Sequence, residues 1–213
     1  DGRVAQGAVE LLESFNIKKV AVDDYINKKF NGPCFCQLSV TDYIRKKDKK
    51  PFKQEEYFSN PESFQSNFDI FSDKTDILIN AAYWDPRSPR LFEEDDINEN
   101  FKPKIIGDIS CDINGAIPCT KKASTIEKPF FDYCIKTKKI EEPFNKEDNI
   151  TIMSIDNLPS ELPRDSSRYF GNILVEKILP LLSLEGNEII ENATITKNGG
   201  LTEKFKYLSD YII

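Results

Sequence analysis

Four short apolar segments of this chain run directly into acidic or amide side chains that are followed by irregular loops. Apolar runs of this length, bounded by turn residues, are typical of buried β-strands. In open α/β sheets, ligands bind outside the carboxyl ends of the parallel strands. The pattern therefore predicts an α/β protein with a Rossmann-like, doubly wound parallel sheet and a ligand site where the strand ends converge. The residues at these ends are Asp23 and Asp24, Asn80, Asp108, and Asp156 and Asn157.

The first residues predict a glycine turn that leads into a helix. Gly2-Arg3-Val4-Ala5 fits the second half of the dinucleotide-binding pattern G-x-G-x-x-G/A. Gly2 would let the backbone approach a pyrophosphate, and the free N–H groups at the start of the helix would hold the phosphates. The first glycine and the strand before it are expected ahead of residue 1. The alternative is an ordinary glycine turn before a helix.

An acidic pair follows at the distance that the same pattern requires. Val20-Ala21-Val22 predicts a buried strand. Asp23 and Asp24 come next, about 20 residues after the glycine turn, where an acid would bind the adenosine ribose hydroxyls. The alternative is a pair of solvated acids that simply follow a strand.

Two further motifs lie at later strand ends. In the segment 107–115, Asp108 and Asp112 flank a strand-to-loop junction, and Asp112 would lie near the nicotinamide end of a bound dinucleotide. The alternative is that both carboxylates cap backbone amides in a tight turn. The segment 156–164 contains two prolines and predicts an irregular crossing segment before a long helix, with or without a role in ligand binding.

Composition excludes several classes of function. The chain has no histidine, so its own acid–base chemistry would have to use Asp, Glu, Lys, Tyr or Cys. Its five cysteines form no second ligand pair, which indicates no metal site and reduced thiols in a reducing compartment. The net charge of −7 argues against nucleic acid or an anionic membrane as a partner. No apolar run approaches the roughly 20 residues that span a bilayer.

Several long motifs, in order along nearly the whole chain, closely resemble the lysine-ketoglutarate reductase part of the bifunctional α-aminoadipic semialdehyde synthases. A more distant resemblance connects the two later strand ends with alanine dehydrogenase and the soluble part of transhydrogenase. The motifs that carry the first resemblance are Asp76-Ile77-Leu78-Ile79-Asn80 with Tyr83-Trp84 and Pro89-Arg90-Leu91, Gly107-Asp108-Ile109-Ser110-Cys111-Asp112, Ser154 to Pro163, Ala193-Thr194-Ile195-Thr196, and Lys204-Phe205-Lys206-Tyr207.

The resemblance implies an oxidoreductase that condenses lysine with 2-oxoglutarate and reduces the imine to saccharopine with a nicotinamide cofactor. It also implies two Rossmann-like domains, with a lysine and a histidine as acid and base in the first. We therefore expect this chain to be a catalytically incomplete part of such an enzyme, lacking the N-terminal domain. Residues 1–155 would form the dinucleotide-binding domain without its first strand. Residues 156–213 would form the crossing segment and helices on the missing domain's side of the cleft.

The resemblance favours NADP as the cofactor. NAD is the alternative, because Asp23 and Asp24 would repel a 2′-phosphate, for which the nearest compensating charges are Lys28 and Lys29. The expected compartment is the cytoplasm or the mitochondrial matrix, and a homo-oligomer is left open. The rival functions are an alanine-dehydrogenase-like reaction and a non-catalytic dinucleotide-binding regulatory module. The candidate site residues are Gly2, Arg3 and Val4 at the pyrophosphate, Asp23 or Asp24 at the ribose, Asn80, Ala81, Tyr83 and Asp108 along the cofactor, and Asp112 and Asn157 near the nicotinamide, Asp112 being the catalytic candidate.

Overall fold

The structure is a computed structural model that describes residues 2–211. The chain divides into two compact units, Asp1–Asp156 and Asn157–Ile213. The helices of the first unit are α1 (Arg3–Ser14), α2 (Val22–Asn27), α3 (Val40–Tyr43), α4 (Gln54–Ser59) and α5 (Asp69–Ser72), with 3₁₀ turns at Pro61–Ser63 and Glu94–Asp96. Its strands are β1 (Lys18–Lys19), β2 (Cys34–Phe35), β3 (Ile44–Lys46), β4 (Phe64–Ser66), β5 (Ile77–Asn80), β6 (Ile105–Asp108), β7 (Phe130–Cys134), β8 (Lys139–Glu141) and β9 (Ile150–Met153).

The main sheet has five strands in the order β5-β6-β9-β7-β8. Strands β5, β6 and β9 are parallel, as the three apolar segments predicted. Strand β7 runs antiparallel to both β9 and β8, so the expectation of a wholly parallel sheet is wrong. The reason is local: a short turn with Lys138 at φ 54° joins β7 to β8, and only antiparallel strands can be joined by so short a connection. The fold is therefore α/β with a mixed sheet.

The segment around residue 20 differs from its prediction. Strand β1 ends at Lys19 and pairs in parallel with β2, apart from the main sheet. Val22 already begins α2, so Asp23 and Asp24 lie in the first turn of a helix rather than at the carboxyl end of a buried strand. Acidic side chains are favourable there because the start of a helix carries partial positive charge.

The core of the first unit packs on one face of the main sheet. On this face, Ile106 and Ile152 are fully buried under a group of phenylalanines. Because side chains alternate between the two faces of a strand, the neighbours Ile77, Ile79 and Ile105 lie on the other face, where they are 59%, 40% and 37% exposed. The phenylalanines over the buried face are Phe68, Phe71, Phe92 and Phe101.

The second unit is mainly helical. The long helix predicted from Asp165 to Leu184 is present as α7 (Pro163–Ile173), a π-helical turn (Leu174–Ile178) and α8 (Leu179–Leu182). Pro180 has no N–H to donate to the preceding turn, and proline is a known cause of such irregularities. The remaining elements are α6 (Leu158–Glu161), α9 (Glu188–Ala193), the hairpin of β10 (Thr196–Lys197) and β11 (Gly200–Leu201), and a 3₁₀ helix at Glu203–Tyr211.

Candidate functional site

The carboxyl ends of β5 and β6 bring Asn80 and Asp108 together. These residues are partners in the parallel register, and Asn80 Nδ2 donates a hydrogen bond of 2.9 Å to Asp108 Oδ1. The same amide group donates to Ser110 Oγ at 2.8 Å. Asn80 is 5% exposed and Asp108 is 1% exposed. Two of the predicted strand ends therefore converge, and they form a buried polar pair under the adjoining loops.

The Asp108 carboxylate also holds the loop that follows β6. Its Oδ1 accepts hydrogen bonds from Ser110 Oγ at 2.8 Å and from the Cys111 backbone N–H at 3.3 Å. Its Oδ2 accepts a hydrogen bond from Thr120 Oγ1 at 2.6 Å. The carboxylate thus connects the end of β5 with the start and the end of the 109–120 loop.

Asp112 lies in the same loop and differs from Asp108 in its exposure and in its hydrogen bonding. It is exposed, and its carboxylate accepts no hydrogen bond from any residue in the range 2–211. Partial burial, and then the charge of Asp108, raise the pKa of the Asp112 carboxyl group above its usual value. Of the two carboxylates, Asp108 caps a backbone amide and Asp112 does not.

The backbone of the loop fixes where Asp112 points. Cys111 and Asn114 both have positive φ, at 54° and 53°. The Gly115 N–H donates to the Asp112 carbonyl at 2.8 Å, which closes a tight turn. A Cβ atom on Gly115 would lie 2.4 Å from Asp112 Cβ, so the turn requires glycine at this position.

Three carboxylates surround Cys111 at this edge of the sheet. Burial, and then the charges of Asp156, Asp108 and Asp112, raise the pKa of its thiol. The thiol donates to the Ser154 carbonyl at 3.1 Å. A thiol in such surroundings stays protonated and is a poor nucleophile.

The loop that follows β5 packs against the loop that follows β6. Arg90 donates to the Asn114 carbonyl at 3.1 Å, and the Leu91 N–H donates to the Ala116 carbonyl at 3.0 Å. The Trp84 ring lies beside Gly115. Lys121 pairs with Glu94 and donates to Asn114 Oδ1 at 2.9 Å. These contacts join the two loops into one layer over the strand ends.

Tyr83 projects from that layer, and Ala81 lies beneath it. Tyr83 is 92% exposed, whereas Ala81 is half-buried. The Asn80 side-chain oxygen accepts a hydrogen bond of 3.4 Å from the Ala82 N–H. The Asn80 side chain is therefore engaged by protein groups, whereas the Tyr83 ring is accessible to a ligand.

The glycine turn lies at the start of α1. Gly2 is the N-cap of this 12-residue helix, and no side chain of residues 2–211 caps the helix at this end. The Gly2 carbonyl accepts the Gln6 N–H at 3.0 Å, so the amides of the first turn have no partner within the helix. Nothing lies within 4 Å of a Cβ placed on Gly2, and Arg3 and Val4 are exposed. This end of α1 is open and offers N–H donors, which fits a phosphate group.

The acidic pair lies on α2, and Asn157 belongs to the second unit. Asp24 forms an exposed i,i+4 ion pair with Lys28 at 2.8 Å. Asp23 accepts, through its backbone carbonyl, a hydrogen bond of 2.9 Å from Asn27. Asn157 has φ 52° and is the N-cap of α6. Asp23 and Asp24 take no part in the Asn80–Asp108 pair, whose described partners are Ser110, Cys111 and Thr120.

The sequence analysis did not identify Ser110 and Thr120, whose hydroxyl groups form hydrogen bonds with the Asn80–Asp108 pair. Ser110 and Thr120 are hydroxyl residues without periodic placement, and only the path of the loop brings both to one carboxylate. Arg90 and Lys121, which hold Asn114, were also missed. Among residues 2–211, no group of three or more histidine, cysteine or acidic side chains is placed to hold a metal ion. In the same range, no helix combines the length and apolar character needed to cross a bilayer.

The chain is similar to known proteins along most of its length. No protein-family model matches it. It is 29% identical over 243 aligned residues to "Alpha-aminoadipic semialdehyde synthase, mitochondrial" of Mus musculus, which covers 97% of this chain and 26% of that protein. Over 183 residues it is 29% identical to "Alpha-aminoadipic semialdehyde synthase" of Arabidopsis thaliana, covering 81% of this chain and 17% of the relative.

A shorter match connects the chain with a second kind of protein. It is 28% identical over 116 residues to "Saccharopine dehydrogenase [NAD(+), L-lysine-forming]" of Schizosaccharomyces pombe, covering 53% of this chain and 29% of that protein. The chain spans about a quarter of the length of the semialdehyde synthase of mouse. The resemblance inferred from the sequence motifs is thus confirmed.

Proposed function

We propose that this chain is the dinucleotide-binding part of a lysine-ketoglutarate reductase. The observation that carries the proposal is the similarity to α-aminoadipic semialdehyde synthases over 97% of the chain. The chain would serve an enzyme that joins the side-chain amine of lysine to the ketone of 2-oxoglutarate, releases water, and reduces the resulting imine to saccharopine. The relative in fission yeast is named as a lysine-forming saccharopine dehydrogenase, which is the reverse of this reaction.

A Rossmann-like arrangement is the finer fold that we propose. The β1–α2–β2 unit is parallel, and it is attached beside β5 because Tyr25 Oη on α2 contacts both the Lys74 carbonyl at 3.1 Å and Thr75 Oγ1 at 2.9 Å. Strand β5 forms one edge of the main sheet, and on that side it pairs with no strand of residues 2–211. One further parallel strand between β1 and β5 would join the two sheets into one, as in dinucleotide-binding folds.

The open start of α1 is where we place the phosphates. The amides of its first turn and the helix dipole would bind an anionic pyrophosphate, and Gly2 leaves room for close approach. Arg3 and Val4 would flank the same group. Asp24 or Asp23 would approach the ribose, and Ala81 and Tyr83 would lie along the middle of the cofactor. We propose NADP as the cofactor, with NAD as the alternative, because Lys28 offsets the charge of Asp24.

Asp112 is the residue that we place at the reacting centre. A bound nicotinamide supplies the hydride, and the protein supplies binding, orientation and electrostatics. The exposed Asp112 carboxylate, at an edge lined by further carboxylates, would stabilise the cationic imine during hydride transfer. We place Asn157 near the same ring. Lysine, 2-oxoglutarate and saccharopine would be bound by this chain together with other parts of a longer enzyme. The mouse relative is named as mitochondrial, and we propose the same compartment for this enzyme.

Calorimetry of the 213-residue chain with NADPH and NADH in parallel tests the proposal. Trp84 is the chain's single tryptophan and lies at the candidate site, so quenching of its emission by bound dinucleotide gives an independent signal. We expect both cofactors to bind and NADPH to bind more tightly. The proposal would be contradicted if neither NADPH nor NADH bound to the chain. If the chain binds dinucleotide but the complete enzyme forms no saccharopine, a non-catalytic dinucleotide-binding module is favoured instead.

A further inference from the structure

We propose that Asp108 is a positioning residue, which sets the shape of the loop that presents Asp112 and does not itself contact cofactor or substrate. The inference rests on the proposed function, because it assigns a role within that same site. It departs from the expectation, drawn from sequence, that Asp108 binds the cofactor directly.

The Asp108 carboxylate is closed to a ligand by its burial and by the donors around it. It is 1% exposed and accepts four hydrogen bonds, from Asn80, Ser110, the Cys111 amide and Thr120. Three of these donors bind Oδ1 and one binds Oδ2, and burial of the carboxylate closes the remaining side of Oδ2 to solvent. A ligand could reach it only by displacing one of these protein donors and opening the loop layer above.

The four donors come from three separate parts of the chain. Asn80 ends β5, Ser110 and Cys111 begin the loop after β6, and Thr120 ends that loop. Thr120 is itself fully buried, and its carbonyl accepts the Asn114 N–H at 2.8 Å. The carboxylate therefore holds both ends of the loop, and through Thr120 it holds the turn that contains Asp112.

The turn needs such support because its backbone is unfavourable by itself. Cys111 has φ 54°, a left-handed conformation that a side-chain-bearing residue adopts only when its surroundings require it. The hydrogen bond from the Cys111 N–H to Asp108 supplies one such requirement. Loss of the charge on Asp108 should therefore relax the loop first at Cys111 and then at Asp112.

Asp108 also acts on Asp112 through its charge. The groups that act on the Cys111 thiol and on Asp112 through their charge include Asp108 and Asp156. Arg90, Glu94 and Lys121 lie in the same loop layer, around Asn114. Asp108 is one of the two causes that raise the pKa of Asp112. An Asp108→Asn enzyme should therefore lose activity at lower pH than the unchanged enzyme does, a shift that a purely structural role would not produce.

The chain contains a matched control for this substitution. Asp132 is also fully buried and also accepts four hydrogen bonds, from Thr151 Oγ1 at 2.7 Å, the Phe144 and Asn145 amides at 3.0 and 3.2 Å, and Asn149 Nδ2 at 3.3 Å. Its register partner Thr151 lies in β9, opposite Ile105, so Asp132 is near the other end of the parallel strands. Asp132→Asn removes an equivalent buried charge far from the loop.

The first measurement uses the 213-residue chain and does not depend on activity. Trp84 emission and its quenching by acrylamide report on the loop layer, because Trp84 contacts Gly115. We expect Asp108→Asn to change this signal and Asp132→Asn to leave it unchanged, while both lower the melting temperature. Equal effects of the two substitutions would overturn the inference. If Asp108→Asn does not fold, Thr120→Val removes one donor alone and is read in the same way.

The second measurement uses the complete enzyme and separates positioning from direct contact. For Asp108→Asn we expect the kcat of saccharopine formation to fall about tenfold or more, while the Kd for dinucleotide changes by less than about threefold. A tenfold weaker dinucleotide affinity with unchanged kcat would instead show direct contact and overturn the inference. If the unchanged enzyme forms no saccharopine, the proposed function fails, and the Trp84 measurement still decides the role of Asp108.

Discussion

Asp112 is the single side chain on which the proposed chemistry depends most. We expect Asp112→Asn in the complete enzyme to lower turnover by an order of magnitude or more, because it removes the charge that would face the cationic imine. The free energy of unfolding should change by only about 0.5 kcal/mol, as for other surface substitutions, since the carboxylate accepts no hydrogen bond among residues 2–211. Steady-state kinetics and thermal unfolding check the two halves. Asp148→Asn, an exposed acid in the loop before β9, is the control, and unaltered turnover in Asp112→Asn would end the catalytic assignment.

Cofactor choice should depend on the ion pair of Asp24 with Lys28. If Asp24 binds the ribose hydroxyls, Asp24→Ala should weaken NADH by roughly 1.5–3 kcal/mol, the contribution of one hydrogen bond to a charged group. NADPH should lose less, because the substitution also removes repulsion of a 2′-phosphate. The matched variant Lys28→Ala should have the opposite effect and weaken NADPH more. Calorimetry measures all four affinities, and equal losses of both cofactors in Asp24→Ala would refute the ribose assignment.

At the residue scale, sequence could predict which side chains meet only where strands dictate it. Asn80 and Asp108 end neighbouring parallel strands, so their convergence follows from the sheet. Which of Asp108 and Asp112 caps the turn depends instead on a loop with two left-handed residues, Cys111 and Asn114. Left-handed asparagine is common enough to anticipate, but left-handed cysteine is not. Thr120 reaches Asp108 only because of that path.

At the scale of elements, the parallel strands were predictable and the antiparallel ones were not. Strands β5, β6 and β9 are short apolar runs between turn residues. Strand β7 interrupts its aromatic residues with Asp132, which looks unfavourable for a buried strand until the amides of the 143–145 turn are seen to satisfy it. The strand predicted around residue 20 was wrong for another reason. Three apolar residues are too few to distinguish a strand from the start of an amphipathic helix.

The turn at Gly115 provides a prediction at this scale. Gly115→Ala should lower the free energy of unfolding by about 1–3 kcal/mol, because its Cβ would lie 2.4 Å from Asp112 Cβ and the turn would have to shift. Trp84 emission should change as well, since the ring lies next to Gly115. Gly171 in α7 has nothing within 4 Å of an added Cβ and serves as the control. Gly171→Ala should be neutral or stabilising by up to about 1 kcal/mol, and an equal effect at both glycines would contradict the close approach.

At the scale of the whole molecule, large apolar side chains remain uncovered in both units. In the first unit these include Ile77 and Ile79 on the outer face of β5. In the second they include Tyr169 and Phe170 of α7, which are both 64% exposed. We propose that these side chains contact further protein, since exposed apolar side chains that adjoin one another mark interaction sites. This agrees with a chain that spans about a quarter of the semialdehyde synthase of mouse.

The 213-residue chain should therefore bind dinucleotide and fail to make saccharopine. It contains no histidine, and proton transfer by a well-placed group contributes about 10²–10⁴-fold to a rate. The exposed edge near Asp112 would also lack the opposing surface that holds lysine and 2-oxoglutarate together, and positioning of two reactants contributes several orders of magnitude more. Purified chain and complete enzyme should be compared for NADPH affinity and for saccharopine formation at saturating substrates. We expect similar NADPH affinities, and turnover that is lower in the isolated chain by about 10³-fold or more. Saccharopine formation by the isolated chain at a rate near that of the complete enzyme would mean that its own Asp, Glu, Lys or Tyr side chains perform the proton transfers.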